Sequence, residues 1–113
     1  MDCLFCNIAA GKIASRKIYE DEELFAFHDI NPQSPVHFLV IPKKHIANLM
    51  ECNAEDASLL GKMLDCAQRL AVQQGLGERG CRFVINCKSD GLQTIDHLHI
   101  HVLGGRKLKW PPG

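Results

Sequence analysis

The sequence has no apolar run approaching the roughly 20 residues that a membrane-spanning helix requires, so no membrane association is expected. It has no charge excess either, because 13 basic side chains face 13 acidic ones. That balance supplies none of the basic field that holds nucleic-acid polymers or anionic membranes. The opening residues, MDCLFCNIAAGK, contain no basic stretch leading into an apolar one with a small-residue cleavage site, which makes the cytoplasm the expected compartment. Repeats and low-complexity tracts are lacking too, and 113 residues are too few for two ordinary cores. One domain over residues 1–113 is expected, with residues 104–113 as an extended tail.

What is present is more selective. The six cysteines stay reduced in a cytoplasmic protein, so a disulfide framework is the weaker reading. Cys52, Cys66, Cys81 and Cys87 fall separately in or beside apolar segments and read as small hydrophobes. Cys3 and Cys6 differ, since Cys-x-x-Cys spacing aims two thiolates at one metal ion that needs two further ligands from elsewhere. Of the six histidines, three (His97, His99, His101) occupy a five-residue window.

β-forming side chains bounded by polar turns and prolines predict strands over 17–20, 24–28, 37–41, 81–86 and 96–103. Apolar residues at three- and four-residue intervals predict a long helix over 54–74, capped by Asn53 and stopped by Gly75. Residues 5–10 read as a short helical turn closed by Gly11. Two helices and about five strands in this order imply an α+β domain with a mainly antiparallel sheet.

On a strand, side chains alternate, so His97, His99 and His101 are expected on one face and Leu98, Ile100 and Val102 on the other. The apolar face suits packing under the helix, and the imidazole face suits a ligand cleft. Two kinds of site use such a pattern: a metal centre, and a nucleophile with acid/base partners. The preceding loop, Asp90-Gly91-Leu92-Gln93-Thr94, joins a glycine to an amide and a hydroxyl able to donate to an anionic oxygen. Beside three histidines it suggests phosphate.

The motif His97-Leu98-His99-Ile100-His101-Val102 resembles the signature of the histidine triad superfamily of nucleotide hydrolases and transferases. The segments Phe27-His28-Asp29-Ile30-Asn31-Pro32, His37-Phe38-Leu39-Val40-Ile41-Pro42-Lys43-Lys44-His45-Ile46, Val102-Leu103-Gly104-Gly105-Arg106 and Trp110-Pro111-Pro112-Gly113 are similar to the branch called histidine triad nucleotide-binding proteins. The resemblance spans nearly the whole chain. It implies a HIT-like α+β fold, a homodimer, and hydrolysis of adenosine or guanosine 5'-monophosphoramidates through a covalent nucleotidyl-histidine. The enzyme would then be a purine nucleoside phosphoramidase.

By the same resemblance His99 is the nucleophile, His101 and Thr94 bind phosphate or leaving group, His37 supports the nucleophile, and Gln93 and Leu92 belong to the anion loop. Asp29 would take the ribose hydroxyls and Asn86 the ribose and phosphate. Phe5, Ile8, Phe27, His28, Ile30 and Leu39 would surround the base. Thr94 keeps the hydroxyl of the family's usual Gly-Gly-Gln-Ser, whereas Leu92 replaces a glycine. No catalytic cofactor is implied, but some microbial relatives hold a structural zinc with a set that matches Cys3, Cys6, His45 and His97. Other readings are a slow or noncatalytic nucleotide-binding scaffold, and an open zinc centre held by His97, His99 and His101.

Overall fold

A computed structural model of the chain describes residues 3–113. Its centre is built by alternation within two neighbouring strands. In β2 (Leu24–His28) and β3 (Val36–Pro42) nearly every side chain is buried, because both faces of the sheet are covered. Leu24, Ala26, Phe38 and Val40 point to one face, and Phe25, Phe27, Leu39 and Ile41 to the other. With β1 (Lys17–Glu20), β4 (Cys81–Val84) and β5 (Ile100–Gly104) they form a five-stranded antiparallel sheet in the order β1-β2-β3-β5-β4.

The long helix α2 (Ala57–Gln73) covers the first face with Met63, Cys66, Ala67, Leu70 and Ala71, which recur at the predicted three- and four-residue spacing. Burying side chains such as Met63, Phe38 and Ile100 contributes about 1.5–3 kcal/mol each against leaving them in water. Asn53 caps as expected: its side chain accepts from the Glu55 amide (2.9 Å) while Asp56 accepts from the Asn53 amide (3.1 Å). The first turn, Ala54–Asp56, is 3-10 rather than α, so the α-helix starts later than residue 54. Gly75, at φ +83°, ends it. The short α1 (Leu4–Ala9) lies on the second face, with Phe5 and Ile8 among Phe25, Phe27, Leu39 and Ile41.

Two strands differ from the sequence reading by more than one residue at an end. The strand predicted over 96–103 is Ile100–Gly104, so His97 and His99 precede the ladder and only His101 lies within it. The His97 amide donates to the Ile95 carbonyl (2.8 Å) and the Leu98 amide to the Ile46 carbonyl (2.7 Å), which bends the segment toward the loop after β3. The strand predicted over 81–86 stops at Val84, opposite His101. Ile85 and Asn86 lie outside the ladder. A 3-10 turn at Leu49–Glu51 was not visible as a pattern.

Beyond β5, residues 105–113 form neither helix nor strand, and Gly104, expected in the tail, closes β5. Arg106 donates to the Gln33 carbonyl (3.0 Å) and Arg82 to the Lys109 carbonyl (2.8 Å).

Candidate active site

Register brings together two histidines that lie 64 residues apart. His37 sits opposite Leu103 and Leu39 opposite His101, which makes His37 and His101 diagonal neighbours on the second face. Their rings meet with Nε2 of His37 2.9 Å from Nδ1 of His101. The Gln33 amide donates to Nδ1 of His37 (3.0 Å), so that nitrogen is an acceptor and the proton of a neutral ring resides on Nε2. His37 therefore donates to His101, whose own proton is fixed on Nε2, free to donate elsewhere. Asp29 Oδ2 lies 3.4 Å from His37 Nε2, but burial lowers the His37 pKa and keeps the ring neutral, so the contact is not an ion pair. The other Asp29 oxygen accepts from the Asn31 amide (2.8 Å).

His99 is anchored in the opposite sense. Its Nδ1–H donates to the His97 carbonyl (2.7 Å), which leaves the Nε2 lone pair unprotonated and directed away from the backbone. Phe5 stands edge-on to the His99 ring at 5.1 Å and 89°, and His101 follows at 4.9 Å. Only 3% of His99 is exposed, and burial holds its pKa below the ordinary imidazole value. His101 is pushed down to about 4, first by burial and then by the neighbouring His99 and His37. The site thus presents neutral imidazoles with assigned roles: one lone pair at His99 and one N–H at His101.

His97 faces another way. Its Nε2–H donates to the Pro42 carbonyl (2.7 Å), so the Nδ1 lone pair meets Cys3 Sγ at 3.3 Å and Cys6 Sγ at 3.5 Å. His45 Nδ1 lies 3.4 Å from Cys6 Sγ, and the four ligand atoms all lie within 4.8 Å of one another. Sulfur-to-nitrogen edges of a tetrahedral zinc site measure about 3.5 Å for ordinary bond lengths, and the observed separations match them. The carbonyl-bonded His97 is also the tautomer that metal-ligating imidazoles adopt. Burial and the neighbouring Cys3 raise the Cys6 thiol, a protonation that a bound cation would reverse. The residues present fit zinc. An open centre held by all three triad histidines does not fit, because among the described residues His97 groups with the cysteines and His101 with His37 and Asp29.

The remaining expected residues divide. Phe5, Ile8, Phe27 and Leu39 are brought together in one buried apolar cluster beside His99. His28 is half-buried at the end of β2, Asn86 is half-buried beyond β4, and Thr94 is exposed. Ile30 is fully exposed and stands apart from that cluster. Gln93 departs from its expected part in an anion cradle: its side-chain NH₂ donates to the Ala47 and Ile95 carbonyls (2.8 and 2.9 Å), and its oxygen accepts from the Lys88 amide (3.0 Å). Both hydrogens of its NH₂ are spent bracing the loop. Leu92 is exposed and lies at φ +57°, the conformation a glycine would take without strain. The sequence reading missed the Gln33 amide and the Pro42 carbonyl, which fix the tautomers, since backbone groups carry no residue signature.

The pattern of the HIT domain family matches residues 10–108. The chain belongs to the HIT family. A relative described as an uncharacterized HIT-like protein of Synechococcus elongatus is 52% identical over 112 residues, covering 99% of this chain and 97% of its own. The crystal structure of a HIT family hydrolase from Legionella pneumophila superposes with a TM-score of 0.98 at 49% identity, covering 99% of this chain and all of that one. A histidine triad nucleotide-binding protein from Candida albicans has a TM-score of 0.83 at 29% identity, covering 99% of this HIT chain and 85% of its own. A zinc-bound histidine triad family protein from Mycobacterium smegmatis has a TM-score of 0.80 at 34% identity, with coverage of 97% and 81%. The α+β fold with a five-stranded antiparallel sheet, one main helix and a short N-terminal helix is that of the family.

Proposed function

We propose that this HIT protein is a purine nucleoside phosphoramidase of the histidine triad nucleotide-binding branch, with His99 as its nucleophile. One observation carries the reading: the His97 carbonyl holds the His99 proton on Nδ1, so Nε2 offers a lone pair without prior deprotonation. In a nucleoside 5'-phosphoramidate, Nε2 would attack phosphorus as the P–N bond breaks. The nucleotidyl group is then carried on His99, and water displaces it as the nucleoside monophosphate. The two steps together add water across the P–N bond, hydroxyl to phosphorus and hydrogen to the amine.

His101, whose Nε2–H is fixed by the Gln33–His37–His101 chain of hydrogen bonds, would donate to the phosphoryl oxygen. Thr94 would add a hydroxyl. The apolar cluster of Phe5, Ile8, Phe27 and Leu39 would flank the base, with Asp29 on the ribose and Asn86 near ribose and phosphate. Cys3, Cys6, His45 and His97 would hold a structural zinc, a reading supported by their mutual distances and by the zinc-bound relative. The active unit would be a cytoplasmic homodimer.

The test is turnover of adenosine 5'-monophosphoramidate by wild type and His99→Ala, with intact mass measured on a rapidly quenched reaction. AMP release and a transient gain of one nucleotidyl group, both lost in the variant, are the expected results. Tight binding of AMP by wild type with neither turnover nor adduct would replace the enzyme reading with that of a nucleotide-binding protein.

A further inference from the structure

We infer that the Cys3–Cys6 turn is a positioning device for the nucleophile, so that occupancy of the four-ligand set decides how His99 and the apolar wall beside it are held. The inference rests on the zinc reading above and assigns Phe5 and His97 as positioning residues. Three contacts carry it.

The first is Phe5 itself, which lies between the two cysteines in the chain and meets the His99 ring edge-on at 5.1 Å while also touching Phe27 at 5.5 Å. The second is the His97 carbonyl, which receives the His99 proton at 2.7 Å and belongs to the residue whose ring faces both thiols. The third is the hydrogen bond from the Leu98 amide to the Ile46 carbonyl (2.7 Å), which joins the residue after His97 to the residue after His45. Cys6, His45 and His97 therefore each adjoin or carry a group that touches His99 or fixes the backbone that holds it, and Cys3 lies two residues before Phe5.

Helix α1 has only six residues, too few to hold its shape by internal hydrogen bonds. Cys3 caps it through a weak contact from the Cys6 amide to Sγ at 3.4 Å. Its pose then depends on the cluster around Ile8 and on the Cys3–Cys6 contacts with His45 and His97. If the cluster alone sufficed, metal would be indifferent to the nucleophile. If the ligand set matters, its loss frees the turn, moves Phe5, and loosens the carbonyl that sets the His99 tautomer.

The experiment compares zinc-loaded and chelator-stripped wild type by metal stoichiometry, by the ring nitrogen resonances of His99, and by AMP affinity, with Cys6→Ala, Cys6→His and Phe5→Leu alongside. We expect one zinc per chain, and on stripping a shift of the His99 resonances together with a loss of AMP affinity. Cys6→Ala should reproduce the stripped state, and Cys6→His, which restores a ligand, should reverse it. Phe5→Leu should keep the zinc yet weaken AMP. Bound zinc whose removal leaves both the His99 resonances and AMP affinity unchanged overturns the inference while sparing the zinc site. Absence of bound zinc from wild type overturns both. None of these readouts needs turnover, so a failure of the hydrolase reading shows separately in the phosphoramidate assay.

Discussion

On the α2 face of the sheet, Phe38, Val40, Ile100 and Val102 pack with Met63, Ala67 and Leu70; on the other face, the alternate residues of the same strands include His37, Leu39 and His101, with His99 and α1 alongside. The first face is apolar and indifferent to direction, since dispersion and burial act wherever shapes fit. The second is directional. His99 and His101 each have one nitrogen committed to a partner and His37 has both, and the chemistry follows from which nitrogens are left over. One strand thus carries stability on one side and proton placement on the other, and the two functions should separate under mutation.

The sharpest separation is expected at His99. His99→Ala should lower turnover by about 10⁴-fold or more, the scale of losing an essential nucleophile, while the melting temperature changes little. Steady-state kinetics and a thermal melt on the same preparation check both halves. The mirror case is Phe38→Ala, which should cost about 3–5 kcal/mol of stability by urea unfolding, yet leave the pH profile of the surviving activity unchanged. A large loss of stability at His99, or an altered pH profile at Phe38, would break the division between the faces.

Acidification should act on the second face. The folded His101 pKa of about 4 lies below the ordinary 6.5, so folding favours the neutral ring. Its stabilising contribution is complete above about pH 6.5 and is lost progressively as pH falls from there through about 4. The charged and titratable groups facing His101 are His99, His37 and Asp29, of which only the Asp29 carboxylate favours protonation. Turnover per folded molecule should therefore hold through mild acid and fall near pH 4, measured against stability over the same range. An apparent pKa near 6.5 for His101 by NMR would show that the ring is solvated rather than buried.

The smallest effect is expected in the loop before the histidines. Leu92→Gly should relieve the strain of a left-handed leucine and raise stability by about 0.5–1 kcal/mol, read as a shift in the urea midpoint. If Leu92 is retained for contact with substrate, the same variant should also raise KM.

Local signals in the sequence reached far into this structure. The strands at Lys17–Glu20 and Leu24–His28 and the apolar stripe of α2 follow from period and turn chemistry that neighbouring residues fully specify. The start of β5 did not, because period two over 96–103 cannot reveal that the Leu98 amide is taken by Ile46, 52 residues earlier in the chain. Gln93 was misassigned for the same reason: an amide beside a phosphate-like loop reads as a donor to ligand until the distant Ala47 carbonyl claims it. The candidate residues were legible as a set, since three histidines at alternate positions are rare by chance. The family resemblance already suggested a division of roles among them, but which ring nitrogen carries the proton in each was not legible, because the Gln33 amide and the His97 and Pro42 carbonyls set it.

The strand order has a consequence for how the molecule is made. β5, the last of these five strands to be made, is not an edge but lies between β3 and β4. Until residue 104 has emerged, β4 has no neighbour, α2 rests on half a floor, and the two cysteines at the start of the chain await a histidine 91 residues beyond Cys6. The nascent protein therefore has no stable halfway house. A chain released early should be cleared as unfolded rather than persist as a fragment.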